Sequence, residues 1–203
     1  MTRVRNYERR RYKSLDQRLV NHLESRIIER YLDELCLPGG SILDIPCGYG
    51  RFVPVLRQRA ATVVGGDRKL AMLQRMRERF EQEVGVVQML SSALPFTDDS
   101  FDVVTCIRLM QHIHAADDRW ATYAEIARVA SRGAVVTVYL DTFAHRFVHR
   151  ARRLKRLTRD RLDELEARLP ALGLRLRNHA RILPGLHAQM VLQLETCKPA
   201  QSR

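Results

Sequence analysis

The sequence contains no apolar run long enough to cross a bilayer, which takes about 20 residues as a helix. Residues 1–7 are polar and basic, and they lack the apolar core of a secretory signal. We therefore expect a cytoplasmic protein without a transmembrane segment. Contact with a membrane surface stays open.

Cysteine is scarce and widely spaced. The four cysteines, Cys36, Cys47, Cys106 and Cys197, include no C-x-x-C pair. Paired spacing is typical of zinc sites, and dense cysteine is typical of disulfide frameworks in secreted domains. We expect no metal site, no disulfide framework and a reducing compartment.

Acidic residues are in deficit. The 203 residues hold 35 Lys and Arg against 23 Asp and Glu, a formal charge of +12. Such a charge attracts nucleic acid, anionic lipid or a phosphorylated substrate without choosing among them. The excess lies in residues 3–13 and 145–156. These segments are either solvated surface or an anion-facing rim around a substrate cleft.

The rest of the chain alternates apolar runs with helix-like segments. Its length fits one domain with a substantial core. We predict strands at 41–45, 62–66, 84–90, 101–107, 134–140, 174–183 and 189–196. We predict helices at 15–35, 51–60, 70–80, 117–130 and 158–169. This alternation predicts an α/β fold, with a mostly parallel sheet covered by helices on both faces.

The last two predicted strands are joined by a short turn at Pro184 and Gly185. A parallel crossover needs a dozen or more residues, so the last strand must run antiparallel to its neighbour. We divide the chain into a basic helical head or lid (1–39) and a main domain (40–203). The main domain carries a basic lid insert (141–157).

A glycine turn follows the first predicted strand. Asp44 ends the apolar run, and Gly48 and Gly50 lie in the turn before the next helix. Asp67 ends the second strand roughly 20 residues later, the spacing of an acid that binds ribose hydroxyls in nucleotide-binding folds. In open α/β sheets, ligands bind beyond the carboxyl ends of the strands. The pattern predicts a bound adenosine cofactor.

The turn departs from the dinucleotide pattern. Phe52 and Val53 follow Gly50, so the third glycine of G-x-G-x-x-G is missing. An acid at Asp44 would repel a pyrophosphate and would suit an amine. An amino-acid-bearing nucleoside fits both features.

These motifs resemble class I S-adenosylmethionine-dependent methyltransferases, most closely the type 11 subfamily. The resemblance covers residues 40–196 and rests on segments 43–52, 64–67, 94–104 and 108–113. It implies a Rossmann-like seven-stranded methyltransferase fold. It also implies S-adenosyl-L-methionine as cofactor and S-adenosyl-L-homocysteine as product.

The resemblance also implies which residues bind the cofactor. Asp44 would lie near the amino group, Asp67 would hold the ribose diol, and Arg68 would flank the adenine. Ser91 or Ser92 would replace the acid that many relatives carry at the position of Leu90. The full implied set is Asp44, Pro46, Cys47, Gly48, Gly50, Asp67, Arg68, Ser91, Ser92, Cys106 and Arg108.

Two residues are candidates for the chemistry. His112 titrates near neutrality and is a candidate general base, or it is a cleft-wall residue that makes one hydrogen bond. Tyr139 lies close to the end of the fifth predicted strand, where it would shape an acceptor pocket or belong to an ordinary strand end. The segment after the fourth strand has neither the Asn/Asp-Pro-Pro-Tyr of base N6 methylation nor a Pro-Cys pair for cytosine C5 attack.

Three functions remain open from the sequence. The first is a methyltransferase for a small-molecule, lipid-linked or glycan acceptor with an acidic group. The second is an RNA methyltransferase whose basic segments hold phosphates. The third is a non-catalytic S-adenosylmethionine-binding subunit of a partner protein. The chain is either a monomer or a homodimer.

Overall fold

The computed structural model describes residues 15–80, 83–140, 158–183 and 188–197. Residues 1–14 of the predicted head and the predicted insert 141–157 lie outside them. Five α-helices are described: α1 (Leu15–Leu35), α2 (Val53–Arg57), α3 (Leu70–Phe80), α4 (Ala116–Val129) and α5 (Leu162–Arg168). Seven strands are described: β1 (Ser41–Asp44), β2 (Thr62–Asp67), β3 (Gly85–Gln88), β4 (Phe101–Cys106), β5 (Ala130–Tyr139), β6 (Leu174–Arg181) and β7 (Gln189–Thr196).

The strands form one sheet in the order β3-β2-β1-β4-β5-β7-β6. Strands β1 to β5 pair in parallel, and β7 pairs antiparallel with both β5 and β6. The predicted α/β fold with an antiparallel last strand is therefore confirmed. The chain order reverses at β1, which has β2 on one side and β4 on the other.

Helices cover both faces of the sheet, so adjacent strand residues enter different cores. In β4, Val103 packs with α1, α2 and α3, whereas Val104 packs with α4 and α5. In β5, Val135 and Val136 likewise lie in different cores, on opposite faces of the sheet. This period-two exchange explains why the central strands are apolar throughout.

Helix α1 belongs to this core. Ile28, Tyr31 and Leu32 are fully or almost fully buried against the sheet. Leu19, an apolar residue of the same helix, is exposed. The inward stripe instead includes an acid, Glu24. None of the described helices is both long and apolar enough to span a bilayer.

Some element bounds differ from the prediction. Helix α2 has five residues because the turn after Gly50 continues to Phe52, its N-cap. Asp117 lies in the first turn of α4, whose N-cap is Ala115. Thr158 does not begin α5; its hydroxyl bonds the Ile113 carbonyl oxygen at 3.0 Å.

Candidate functional site

A cavity of about 920 Å³ opens at the carboxyl ends of β1, β2 and β4. The turn after β1 supplies one wall, residues 66–69 a second, residues 89–92 a third and residues 107–114 a fourth. This is the edge of the sheet where chain order reverses and where ligands bind in open α/β folds. The cavity is within the size range of small-molecule and cofactor sites.

Asp67 joins two walls of the cavity. Its Oδ2 accepts a hydrogen bond from the Gly48 amide at 3.1 Å, and its Oδ1 accepts one from the Lys69 amide at 2.8 Å. The side chain is buried and also lines the cavity. A carboxylate has about four acceptor positions, so these two bonds orient it while others can receive ribose hydroxyls.

Gly48 is the point of close approach. It adopts φ +55°, in the left-handed region that favours glycine. A Cβ at this position would meet no heavy atom within 4 Å, and the residue lines the cavity. A side chain here would therefore occupy space that a ligand can use. This cradle fits an elongated amino-acid nucleoside lying across the turn.

Asp44 lies beneath the cavity and does not line it. Its carboxylate is almost fully buried and accepts a hydrogen bond from the Thr105 hydroxyl at 2.8 Å. Burial raises the pKa of Asp44 to about 7, and the nearby negative charge of Asp67 acts in the same direction. A positively charged amine close to this carboxylate would offset the free-energy cost of burying its negative charge.

Known proteins match the segment that carries most of these residues. Residues 43–138 match the type 11 family model, described as a methyltransferase domain. The chain is 35% identical over 109 positions to a ubiquinone biosynthesis O-methyltransferase of Hahella chejuensis, a match that covers 51% of this chain and 44% of that protein. Segment 43–138 is therefore a methyltransferase domain, and the chain has the fold of the class I S-adenosylmethionine-dependent methyltransferases.

Two further relatives widen the comparison. A probable tRNA methyltransferase 9B of Mus musculus is 31% identical over 103 residues, 51% of this chain and 22% of that protein. Magnesium protoporphyrin IX methyltransferase of Synechocystis, solved with bound S-adenosylhomocysteine, superposes with a TM-score of 0.74 at 14% identity. That superposition covers 96% of this chain and 95% of the other. The chain spans less than half the length of these two sequence relatives.

Most of the predicted cofactor residues of this methyltransferase domain meet at the cavity. The lining includes eight of them: Pro46, Cys47, Gly48, Asp67, Arg68, Ser91, Ser92 and Arg108. Ser91 also shares a hydrogen bond with the Thr122 hydroxyl at 3.1 Å. Leu90 is 57% exposed at the same wall, so the position that carries an acid in many relatives presents an apolar side chain here.

The remaining predicted cofactor residues lie behind the wall. Cys106 is fully buried, and burial raises the pKa of its thiol above the ordinary range. Gly50 adopts φ +78°, and an added Cβ would lie 2.5 Å from Cε2 of Phe80. Gly50 therefore serves the packing of the turn on α3, as Asp44 and Cys106 serve the core.

The two catalytic candidates are placed differently. His112 is exposed and lines the cavity, together with His114. Tyr139 does not line the cavity; its carbonyl oxygen accepts the Asp160 amide at 2.8 Å. In the described residues, no group of three or more His, Cys, Asp and Glu side chains is arranged to hold a metal ion.

Sequence reasoning missed Glu24 and Arg51. Arg51 lines the cavity, and Glu24 is fully buried in α1 and bonds both Arg51 and Arg108. The signal was present as an acid on the apolar stripe of α1, next to Leu23 and four residues before Ile28. A buried acid requires a partner, which is a cue to look for cations elsewhere in the chain.

Segment 94–100, part of the family motif, is held away from the cavity by one arginine. Arg128 donates from Nη1 to the Phe96 carbonyl oxygen at 2.7 Å and from Nη2 to the Leu94 carbonyl oxygen at 3.0 Å. Glu125 accepts the Leu94 amide at 2.6 Å, and the Arg128 guanidinium lowers the pKa of Glu125. This motif orders the connection into β4.

Proposed function

We propose that the chain transfers a methyl group from S-adenosylmethionine to a small-molecule, lipid-linked or glycan acceptor that carries an acidic group. The observation that carries the proposal is the cavity itself. Its lining brings together the proposed ribose acid, Asp67, two histidines and three arginines. The sequence relative named as an O-methyltransferase supports a small-molecule acceptor.

The cofactor's sulfonium supplies an electrophilic methyl group, so the protein's task is to position and dehydrate the reactants. In our proposal Asp67 accepts bonds from the ribose diol, and Gly48 lets the backbone approach the methionine half. Arg68 flanks the adenine, and Ser91 or Ser92 meets its edge. Asp44 acts through the core, where its charge favours an ammonium above the turn.

His112 is the proposed general base. It lines the same end of the cavity as Leu109 and Ile113, which present apolar surface beside it. An imidazole there could accept the proton of an acceptor hydroxyl whose oxygen would take the methyl group, with the S–CH3 bond broken and S-adenosylhomocysteine released. Tyr139 does not line the cavity, so any part it has in shaping the acceptor pocket is indirect.

Calorimetry with S-adenosylhomocysteine tests the cofactor part of the proposal. Tritiated S-adenosylmethionine, incubated with the protein and an extract of cells that lack the gene, tests the acceptor part. We expect label in the small-molecule or lipid fraction and release of S-adenosylhomocysteine. Absence of release would support a non-catalytic subunit instead.

RNA methylation is the second candidate, because Arg68 and Lys69 are exposed at the cavity rim. The mouse relative's name is that of a tRNA methyltransferase, which supports the same candidate. Binding through phosphates weakens steeply with salt, with a slope that reflects the number of contacts. Label in the RNA fraction, with such a slope, would favour RNA over a small molecule.

The same proposal covers the location of the protein, its oligomeric state and the role of its basic segments. We propose a cytoplasmic enzyme, a monomer or homodimer, whose basic head (1–39) and basic insert (141–157) act as lids on the acceptor. Removal of segment 1–14 should weaken acceptor turnover more than S-adenosylhomocysteine binding. Equal losses of both would contradict this assignment.

A further inference from the structure

Two arginines of the cavity wall share one buried acid. Glu24 in α1 has no exposed surface, and its Oε2 lies 3.0 Å from Arg51 Nη2 and 2.5 Å from Arg108 Nη2. Arg108 also donates from Nε to Glu24 Oε1 at 2.9 Å, and the buried Gln189 amide donates to the same oxygen. Three elements distant in sequence therefore converge on one carboxylate.

The backbone of Arg108 supports a placed side chain. The residue has φ +59°, which is uncommon for a residue other than glycine. Its amide donates to the Thr137 hydroxyl of β5 at 2.6 Å, which fixes the turn after β4. Asn21 accepts a further bond from its Nη2 at 2.6 Å. Strained backbone of this kind persists where surrounding structure holds it, and it clusters at ligand sites.

The cluster places two cations at the cavity. The guanidinium groups of Arg51 and Arg108 both bond the one carboxylate of Glu24. Arg51 and Arg108 are 22% and 16% exposed, and both line the cavity. Low exposure strengthens their field on a ligand. A planar carboxylate matches the fork of a guanidinium group.

Arg108 of the cluster lies on the β4 side of the cavity. Arg108 follows β4, which is on the opposite side of β1 from β2, the strand that ends in Asp67. Leu109 and His112 follow Arg108 closely and line the same wall. A ligand held by Asp67 at its ribose would therefore point its other end toward the arginines and His112.

We propose that Arg51 and Arg108, oriented by Glu24, bind a carboxylate of the methyl acceptor. This inference rests on the proposed function, because it needs the cofactor bound across the glycine turn. It assigns Arg108 to the acceptor, whereas the sequence predicts it as a cofactor residue. Glu24 is a positioning residue, since it acts through the two arginines.

Matched acids and amides test the proposal in the wild-type protein. Calorimetry with protein saturated in S-adenosylhomocysteine would compare 4-hydroxybenzoate with 4-hydroxybenzamide, and octanoate with octanamide. We expect at least one acid to bind about tenfold tighter than its amide. Equal binding within both pairs would overturn the proposal without any variant being made.

Variants test whether Arg51 and Arg108 cause the preference for the acid over its amide. Arg51→Gln and Arg108→Gln should reduce the acid preference to about twofold or less while S-adenosylhomocysteine affinity changes by less than about threefold. Arg57→Gln is the matched control, because Arg57 pairs with Glu83 and does not line the cavity. It should retain the full preference. Melting curves of each variant would confirm that it folds.

A decarboxylated analogue of S-adenosylhomocysteine separates the two sources of a carboxylate. If the arginines bind the cofactor's own carboxylate, the analogue should bind wild type about tenfold weaker than S-adenosylhomocysteine, and Arg108→Gln should erase that difference. That result would overturn the acceptor assignment. Failure of S-adenosylhomocysteine to bind wild type at all would instead reject the proposed function.

Discussion

The Asp67 carboxylate holds the Gly48 amide at 3.1 Å, so the end of β2 fixes the turn that follows β1. The same carboxylate accepts the Lys69 amide. One side chain therefore sets the distance between two walls of the cavity. The geometry of the turn, and in our proposal the affinity for the cofactor, depend on the same residue.

Asp67→Asn should weaken S-adenosylhomocysteine binding roughly 10- to 100-fold, because hydrogen bonds to a charged acceptor contribute about 1.5–3 kcal/mol. The asparagine oxygen can still accept one backbone amide, so we expect the fold to persist. Calorimetry measures the affinity. Asp163→Asn, at an exposed acid of α5 that pairs with Arg161, is the control and should bind as wild type does. Unchanged affinity in Asp67→Asn would contradict the ribose assignment.

Asp44 should make stability fall as pH rises. Its folded pKa of about 7 lies above the ordinary value of 3.8, so between those values the folded state keeps a proton that the unfolded state has lost. Stability contributed by this group is complete below about pH 4 and is lost as pH rises through 7. The slope is at most about 1.4 kcal/mol per pH unit.

Asp44→Asn should remove this slope. Urea unfolding without cofactor, at about pH 5, 6, 7 and 8, would compare the free energies of unfolding of the variant and the wild type. We expect the variant to gain stability relative to wild type as the pH increases. Parallel curves would show that the buried acid does not titrate in this window.

Glu24→Gln should lower the free energy of unfolding by about 3 kcal/mol, because it leaves Arg51 and Arg108 without the charge that pairs them. The control is Glu164→Gln, an exposed acid that pairs with Arg168 and should change stability by less than about 1 kcal/mol. Equilibrium urea unfolding measures both. Similar small losses would mean that the cluster contributes little to the fold.

Gly133→Ala should destabilise the pairing of β5 with β7 by more than about 2 kcal/mol, since overpacked positions force backbone shifts. An added Cβ would lie 2.1 Å from the Leu194 carbonyl oxygen, in backbone that cannot rotate away. Gly85→Ala is milder, because its Cβ would lie 3.3 Å from a Val64 methyl group. Thermal unfolding of both variants would rank them, and the reverse order would contradict the close approach of β7 to Gly133.

Arg128→Ala should release segment 94–100 without touching the cavity. The change removes bonds to two carbonyl oxygens and the partner of Glu125, and we expect a loss of about 1–3 kcal/mol. Hydrogen exchange of the amides in this segment should accelerate. S-adenosylhomocysteine affinity within about threefold of wild type would fit a structural role, whereas a larger loss would place the segment at the ligand.

Local patterns were enough to predict the fold. Alternating apolar runs and helices indicated the parallel strands, and the short turn after β6 indicated the antiparallel β7. Asp67 and Gly48 could be placed at the cavity because both follow strands whose carboxyl ends meet at one edge. These inferences use spacing within about 20 residues.

Glu24 could not be placed from such patterns. Its partners Arg51 and Arg108 lie 27 and 84 residues further along the chain. Helical periodicity marks an inward face, yet it does not state which side chain meets which strand end. The left-handed φ of Arg108 is equally invisible, because nothing in its neighbours demands it. Asp44 and Cys106 show the converse problem. Both are next to the site in the sequence, yet neither lines the cavity.

Glu24 and Gln189 both lie outside the segment 43–138 that matches the family model. A comparison confined to that segment includes the two arginines but omits the acid that neutralises one of them. Homologues with a different residue at the Glu24 position would have the same glycine-turn sequence but a different charge around the two arginines. Sorting relatives by the helix before the first strand should therefore group acceptors better than sorting them by the motif itself.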